Sequence, residues 1–152
     1  MSVESATCAP LSAPNPDARH LRELTRLVFE IGFNPALVAA RWSAFDDAFH
    51  GFEPQRVAEL GPADLERLVL DTRLIRNRQK LAATIENARA MVRLAATHDS
   101  FDALLGRLAD EPYERRATLL VGVFSYVGPR VAFAFLQGLG LGDGHDLSGE
   151  AA

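Results

Sequence analysis

Thr118–Leu141, T-L-L-V-G-V-F-S-Y-V-G-P-R-V-A-F-A-F-L-Q-G-L-G-L, is the stretch whose reading decides the fold. It reads as two short apolar helices hinged at Tyr126-Val127-Gly128, with Gly128 as the turn. Pro129 stands at a first helical position, where its missing N–H costs nothing and its fixed φ suits helix entry. The second helix is expected over Pro129–Gln137, ending at Gly138,. Its small residues Ala132 and Ala134 would let another backbone come close. A hinge of this kind directs unpaired amides and the positive end of a helix at one point, which suits a backbone phosphate. Arg130 is placed to add charge there.

The rest of the chain reads as tightly strung helices. Asn15-Pro16 and Asn34-Pro35 are two start signals of one kind, a capping side chain followed by proline at the first helical position,. Leu21, Leu24, Leu27, Val28 and Ile31 share one face of the first helix, which Gly32 stops. Leu37, Val38, Trp42, Phe45 and Phe49 form the stripe of a second helix, with Trp42 read as core. Short helices follow over Pro54–Leu60 and Gly61–Leu70. A long one runs from about Arg76 to Thr97, with Leu81, Ile85, Ala88 and Met91 inward and Arg76, Arg78, Lys80, Glu86 and Arg89 outward. Asp99 or Ser100 caps Phe101–Leu108, and Tyr113–Phe124 leads into the hinge. No alternating pattern survives anywhere, so the fold class is all-α, a single helical domain over residues 15–142. Residues 1–14, rich in Ser, Ala and Pro, read as a disordered lead-in, and 143–152 as a flexible tail.

Composition narrows the function classes. A chain of 152 residues with 48% hydrophobic content supports one core,. No apolar run approaches membrane-spanning length and no basic, apolar leader opens the chain, which makes the cytoplasm the expected compartment and leaves no membrane partner. The single cysteine, Cys8, excludes an internal disulfide or a multi-cysteine metal cage,. Net charge −4 argues against a general nucleic-acid coat, though not against a local patch,. Arg73, Arg76, Arg78 and Lys80 form the strongest basic cluster, read evenly as a DNA-facing group or a solvated helix end.

Tyr126-Val127-Gly128-Pro129-Arg130-Val131-Ala132 resembles the helix-hairpin-helix element of DNA repair proteins in all but its first glycine. A wider set carries the resemblance further: Phe52-Glu53-Pro54-Gln55-Arg56-Val57-Ala58, Leu65-Glu66-Arg67-Leu68, Ile75-Arg76-Asn77-Arg78-Gln79-Lys80-Leu81, Ile85-Glu86-Asn87-Ala88-Arg89-Ala90, and the hinge through Leu141 followed by His145. In order and spacing, residues 21–145 are similar to the DNA-3-methyladenine glycosylase I family, N-terminally shortened and divergent. That family also carries an aromatic residue where Tyr126 stands. The resemblance implies a helical enzyme of base-excision repair that flips a damaged base from duplex DNA and hydrolyses its N-glycosidic bond.

The resemblance also sets site expectations. The family's pocket glutamate and tryptophan fall here on Leu27 and Pro35, and Glu30, one turn on, can stand in for the carboxylate. Asp143, in Asp143-Gly144-His145, offers the D-x-H pattern of the wider superfamily, nearer to Arg130 than those enzymes place it. Arg130 holds the position of an imine-forming lysine in some relatives, and arginine cannot do that work. The family's zinc site has one counterpart, His145, with Gly149 where a cysteine belongs, so neither metal nor cofactor is expected. Candidate catalytic residues are therefore Glu30 and Asp143, and candidate DNA-binding residues Tyr126, Val127, Gly128, Arg130, Arg76 and Lys80. Tyr126 either plugs the space beneath the turn or wedges toward a base step, with plugging favoured. The alternative to a glycosylase is a descendant without the chemistry, a DNA-binding module or a small-molecule-binding protein.

Overall fold

The computed structural model describes residues 15–142. Nine α-helices and one left-handed 3-10 turn follow one another along it, and no strand occurs among the described residues. They are α1 (Pro16–Glu30), α2 (Pro35–Ala40), α3 (Trp42–Ala48), the turn His50–Phe52, α4 (Pro54–Ala58), α5 (Pro62–Leu70), α6 (Arg78–His98), α7 (Phe101–Leu108), α8 (Tyr113–Val123) and α9 (Pro129–Gly138). The expected lead-in and tail, with Cys8, Asp143, His145 and Gly149, lie outside the described residues.

Local chemistry opens most of these helices where the sequence places the start signals. Asn15 Oδ1 accepts from the Asp17 amide (2.9 Å), and Asn34 Oδ1 from that of Ala36 (2.7 Å), each followed by proline in the first turn. Asn77 caps α6 by accepting from the Lys80 amide at 3.1 Å. Ser100, rather than Asp99, caps α7, its hydroxyl accepting from Ala103 N at 2.9 Å. The Asp17 carboxylate joins it there, accepting from the amides of Phe101 (2.9 Å) and Asp102 (2.8 Å), which ties the start of α1 to a positive helix end,.

Two helix boundaries and the burial of one side chain differ from the sequence reading. The expected second helix is two, α2 and α3, because the backbone leaves helical geometry at Arg41 (φ −100°, ψ 0°). The last helix is ended by Gly140, at φ +77°, not by Gly138. Gly140 N bonds Gln137 O at 3.1 Å and Leu141 N bonds Leu136 O at 2.8 Å, the paired closure in which a left-handed residue satisfies the last carbonyls,. Lys80, expected on the outer face, is only 8% exposed. Its ammonium donates to Ile31 O and lies 5.0 Å from the centroid of Phe33, so it joins α6 to the end of α1.

α6 is the spine, packed against α1, α4, α5 and α7, while α1 also meets α9. Leu21, Leu24, Val28 and Phe29 of α1 and Leu81, Ile85, Ala88 and Met91 of α6 are buried between them. Trp42 stacks on Phe45 (5.0 Å) and Phe52 (5.4 Å), which makes it a packing residue, as its spacing indicates. Ala132 is fully buried and allows the close approach its size suggests, whereas Ala134 is exposed.

Arg116 holds the far end together. Buried in α8, it donates to the carbonyls of Leu108 (3.1 Å), Ala109 (3.3 Å) and Glu111 (2.5 Å) after α7, and to Leu141 (3.0 Å) and Gly142 (2.8 Å) after α9. Replacement by methionine leaves five carbonyls without that donor. We expect Arg116→Met to destabilise the fold by about 3 kcal/mol, measured as a shift in urea midpoint.

Lys80 yields a pH-dependent expectation. Burial pushes its ammonium below the ordinary value of 10.5, so the unfolded chain binds that proton more firmly than the folded one. Between the depressed and ordinary values, stability therefore rises with pH. Urea unfolding of the parent relative to Lys80→Met should show the difference moving in the parent's favour on going from neutral to alkaline pH.

Candidate functional site

The hinge between α8 and α9 is held from below by a buried amide. Asn87, in the middle of α6, accepts from Ser125 N at 2.7 Å through Oδ1 and donates to Ser125 O at 3.1 Å through Nδ2. Phe124 and Val127 are buried on either side, Phe124 edge-on to Phe101 at 5.6 Å. Val127, a candidate contact, therefore anchors the turn with its side chain. Sequence reasoning quoted Asn87 only as part of a motif. The signal for its role was a polar residue on the inward face of a helix, next to Ala88 and one turn from Ala83 and Thr84, where a buried amide must find partners.

Tyr126 does not plug the turn. Its backbone is left-handed (φ +62°), its side chain is 50% exposed, and its hydroxyl donates to Gln79 Oε1 at 2.9 Å. Below the turn, Val127 fills the space instead. Tyr126, not Gly128, also carries the unusual backbone geometry. Gly128 is extended (φ −89°, ψ −172°), and a Cβ built there meets nothing within 4 Å. What glycine contributes is an uncovered approach to the amides that follow. The N–H groups of Gly128, Arg130 and Val131 find no acceptor among the described residues, as expected at a helix start,. Arg130 is exposed and makes no ion pair among the described residues.

Of the basic cluster, the structure leaves one residue available. Arg73 is held by Asp71 (2.8 Å) and Asp47 (3.1 Å), whose carboxylates keep its guanidinium pKa raised. Arg78 grips Glu66 with two bonds of 2.8 Å. Lys80 is turned inward, which removes it from the candidate surface. Arg76 is exposed without an ion pair among the described residues.

Beside the hinge lies a cleft of about 530 Å³, formed where the last turn of α1 and the start of α2 face the first turns of α9. Its walls are apolar: Leu27, Ile31, Pro35, Val131, Phe133 and Ala134, with Pro129 and Arg130 at the hinge side and Glu30 as its one carboxylate. Leu27 and Glu30, three residues apart, line it together, as helical spacing requires,. The positions expected to correspond to the family's glutamate and tryptophan, Leu27 and Pro35, thus lie in one cleft with Glu30 and Arg130. Arg26 donates to the Glu30 carboxylate and also to Glu23, so the carboxylate carries a counter-charge within its own helix. A cleft of this size with few convergent polar groups suits a small organic group,. No cluster of three or more His, Cys, Asp or Glu residues that could hold a metal ion occurs among the described residues.

Comparison with known proteins gives one consistent result. The methyladenine glycosylase family profile matches residues 12–120. The chain is 28% identical over 152 aligned residues to DNA-3-methyladenine glycosylase 1 of Escherichia coli (strain K12), covering 87% of this chain and 81% of that protein. A solved crystal structure of 3-methyladenine DNA glycosylase I is similar at 28% identity with a TM-score of 0.70, covering 86% of this chain and 83% of the other. The Staphylococcus aureus 3-methyladenine DNA glycosylase I shares the fold, with a TM-score of 0.73 at 22% identity over 85% and 79% of the two chains. With the helical order, the hinge and the cleft all in place, the chain belongs to the methyladenine glycosylase family.

Proposed function

We propose that this protein is a DNA glycosylase of base-excision repair, which binds duplex DNA through the α8–α9 hinge and releases alkylated purines of the 3-methyladenine type. The observation that carries this reading is adjacency: two of the residues with free amides at the hinge, Arg130 and Val131, also line the cleft. A phosphate on the amides would set the neighbouring nucleotide at the cleft, into which an extruded base can pass. The curated relatives and the solved structures it matches are named for this activity. Among the described residues no helix is long and apolar enough to cross a membrane.

The chemistry asks little of the side chains. Alkylation at a ring nitrogen gives the base a positive charge, so the C1′–N bond breaks with its electron pair neutralising the base. Water adds to C1′ and loses its proton to solvent, and no acid need protonate the leaving group. What helps is negative potential near the cationic base and the developing sugar cation, which Glu30 can supply. Arg130 and Arg76 hold phosphates, while Gly128 leaves the hinge amides open to one. Tyr126, half exposed on the same corner, flanks them.

Two measurements test this. Release of methylated purines from methylated duplex DNA should be catalysed by the parent and fall about tenfold or more in Glu30→Gln, with duplex binding retained. Arg130→Gln with Arg76→Gln should weaken duplex binding and lower the slope of log K against log salt by about 2, one for each lost phosphate contact, without loss of helicity. Binding and salt slope that both survive this pair remove the hinge from the interface. Duplex binding without base release in the parent identifies a scaffold that retained the grip and lost the reaction.

A further inference from the structure

Arg26 sits on α1 between two carboxylates, three residues after Glu23 and four before Glu30. To Glu23 it makes a two-point contact, Nε donating to Oε1 at 3.1 Å and an Nη donating to Oε2. To Glu30 it makes a single contact, from the other Nη. Glu23 is the first cause, ahead of Glu30, of the raised pKa that keeps this guanidinium charged. Glu23 is also the more exposed carboxylate and lies outside the cleft, while Glu30 lines it. The arrangement is asymmetric in a useful way: Arg26 can release Glu30 and still keep both bonds to Glu23.

Resting on the reading of the cleft as the base pocket, we infer that Arg26 is a releasable counter-ion for Glu30, with Glu23 as the positioning residue that takes it over when a positively charged purine enters the cleft. A neutral purine offers Glu30 nothing to replace the guanidinium, so the pair stays closed and the cleft stays electrically balanced. A cationic purine exchanges one positive partner of Glu30 for another, and Arg26 is not stranded. The device selects by charge, in a cleft whose other walls are apolar and select only by shape. Arg130, on the opposite side of the cleft, opposes cation entry, so a closed Glu30 would leave the cleft without any net attraction for a charged base.

The test uses N7-methylguanosine under mildly acidic conditions, where its purine is cationic, against guanosine, which is neutral. Binding to the full chain is read from methyl resonances of Leu27 and Ile31. Arg26→Gln should raise the preference for the cationic nucleoside by up to about fivefold, the upper range for loss of a part-exposed ion pair. Glu23→Gln should lower it, because Arg26 then has no second partner and stays on Glu30. The effect of Glu23→Gln should vanish in the Arg26→Gln background, and both should vanish with Glu30→Gln. Independent, additive effects of Glu23→Gln and Arg26→Gln overturn the inference, as does failure of both nucleosides to perturb those methyls in any variant. Charge preference that follows this pattern in a protein releasing no base overturns the glycosylase reading alone. Base release by a protein without the pattern overturns the charge device alone.

Discussion

The site depends on a single buried side-chain amide. Asn87 bonds both backbone polar groups of Ser125, 38 residues away, and places the turn between α8 and α9 over the middle of α6. A buried amide has no water to fall back on, so an Asn87 displaced from Ser125 would leave its own donor and acceptor unmet,. The constraint therefore works in both directions: α6 positions the hinge, and the hinge completes the interior of α6. With that contact in place, the orphan amides of α9 point outward and its first turns face the end of α1.

The cleft follows from this alignment. α1 and α9 come from opposite ends of the described chain and meet around Leu27, Glu30 and Val131. Lys80 secures the far lip by holding the Ile31 carbonyl, at the cost of a desolvated ammonium. A cation that composition alone counts toward DNA binding is thereby spent inside the protein. The surface is left with Arg76 and Arg130 as cations without ion pairs in this region, consistent with a net charge of −4 and a local rather than global attraction for phosphate,.

The cleft is apolar at Leu27, Ile31 and Pro35, with Phe133 as its aromatic wall, and Glu30, from the last turn of α1, is its one carboxylate. That carboxylate is shared with Arg26. An apolar cleft with one buffered negative charge favours a group whose own charge makes departure easy, which is the chemical character of a ring-alkylated purine.

Helix starts and the hinge were legible in the sequence because their causes are local. Asn15 and Asn34 bond amides two residues on, and Pro16, Pro35 and Pro129 set φ within their own residue. Family resemblance and the all-α class were legible for the same reason, being carried by spacing and by motifs. The shift of the final cap to Gly140 lies at the edge of that reach, since Gly138 and Gly140 are competing helix-end signals two residues apart, and the break at Arg41 carries no local signal of that kind. What only the tertiary structure decided were the matters that depend on partners distant in sequence. Lys80 turned inward because Ile31 O and the ring of Phe33 awaited it, and Tyr126 turned outward because Val127 already filled the space beneath and Gln79 could take its hydroxyl. Glu30 entered a cleft because α9 came to face it. Periodicity assigns a residue to a face of its own helix, but the neighbour that face meets is set by packing across the whole chain.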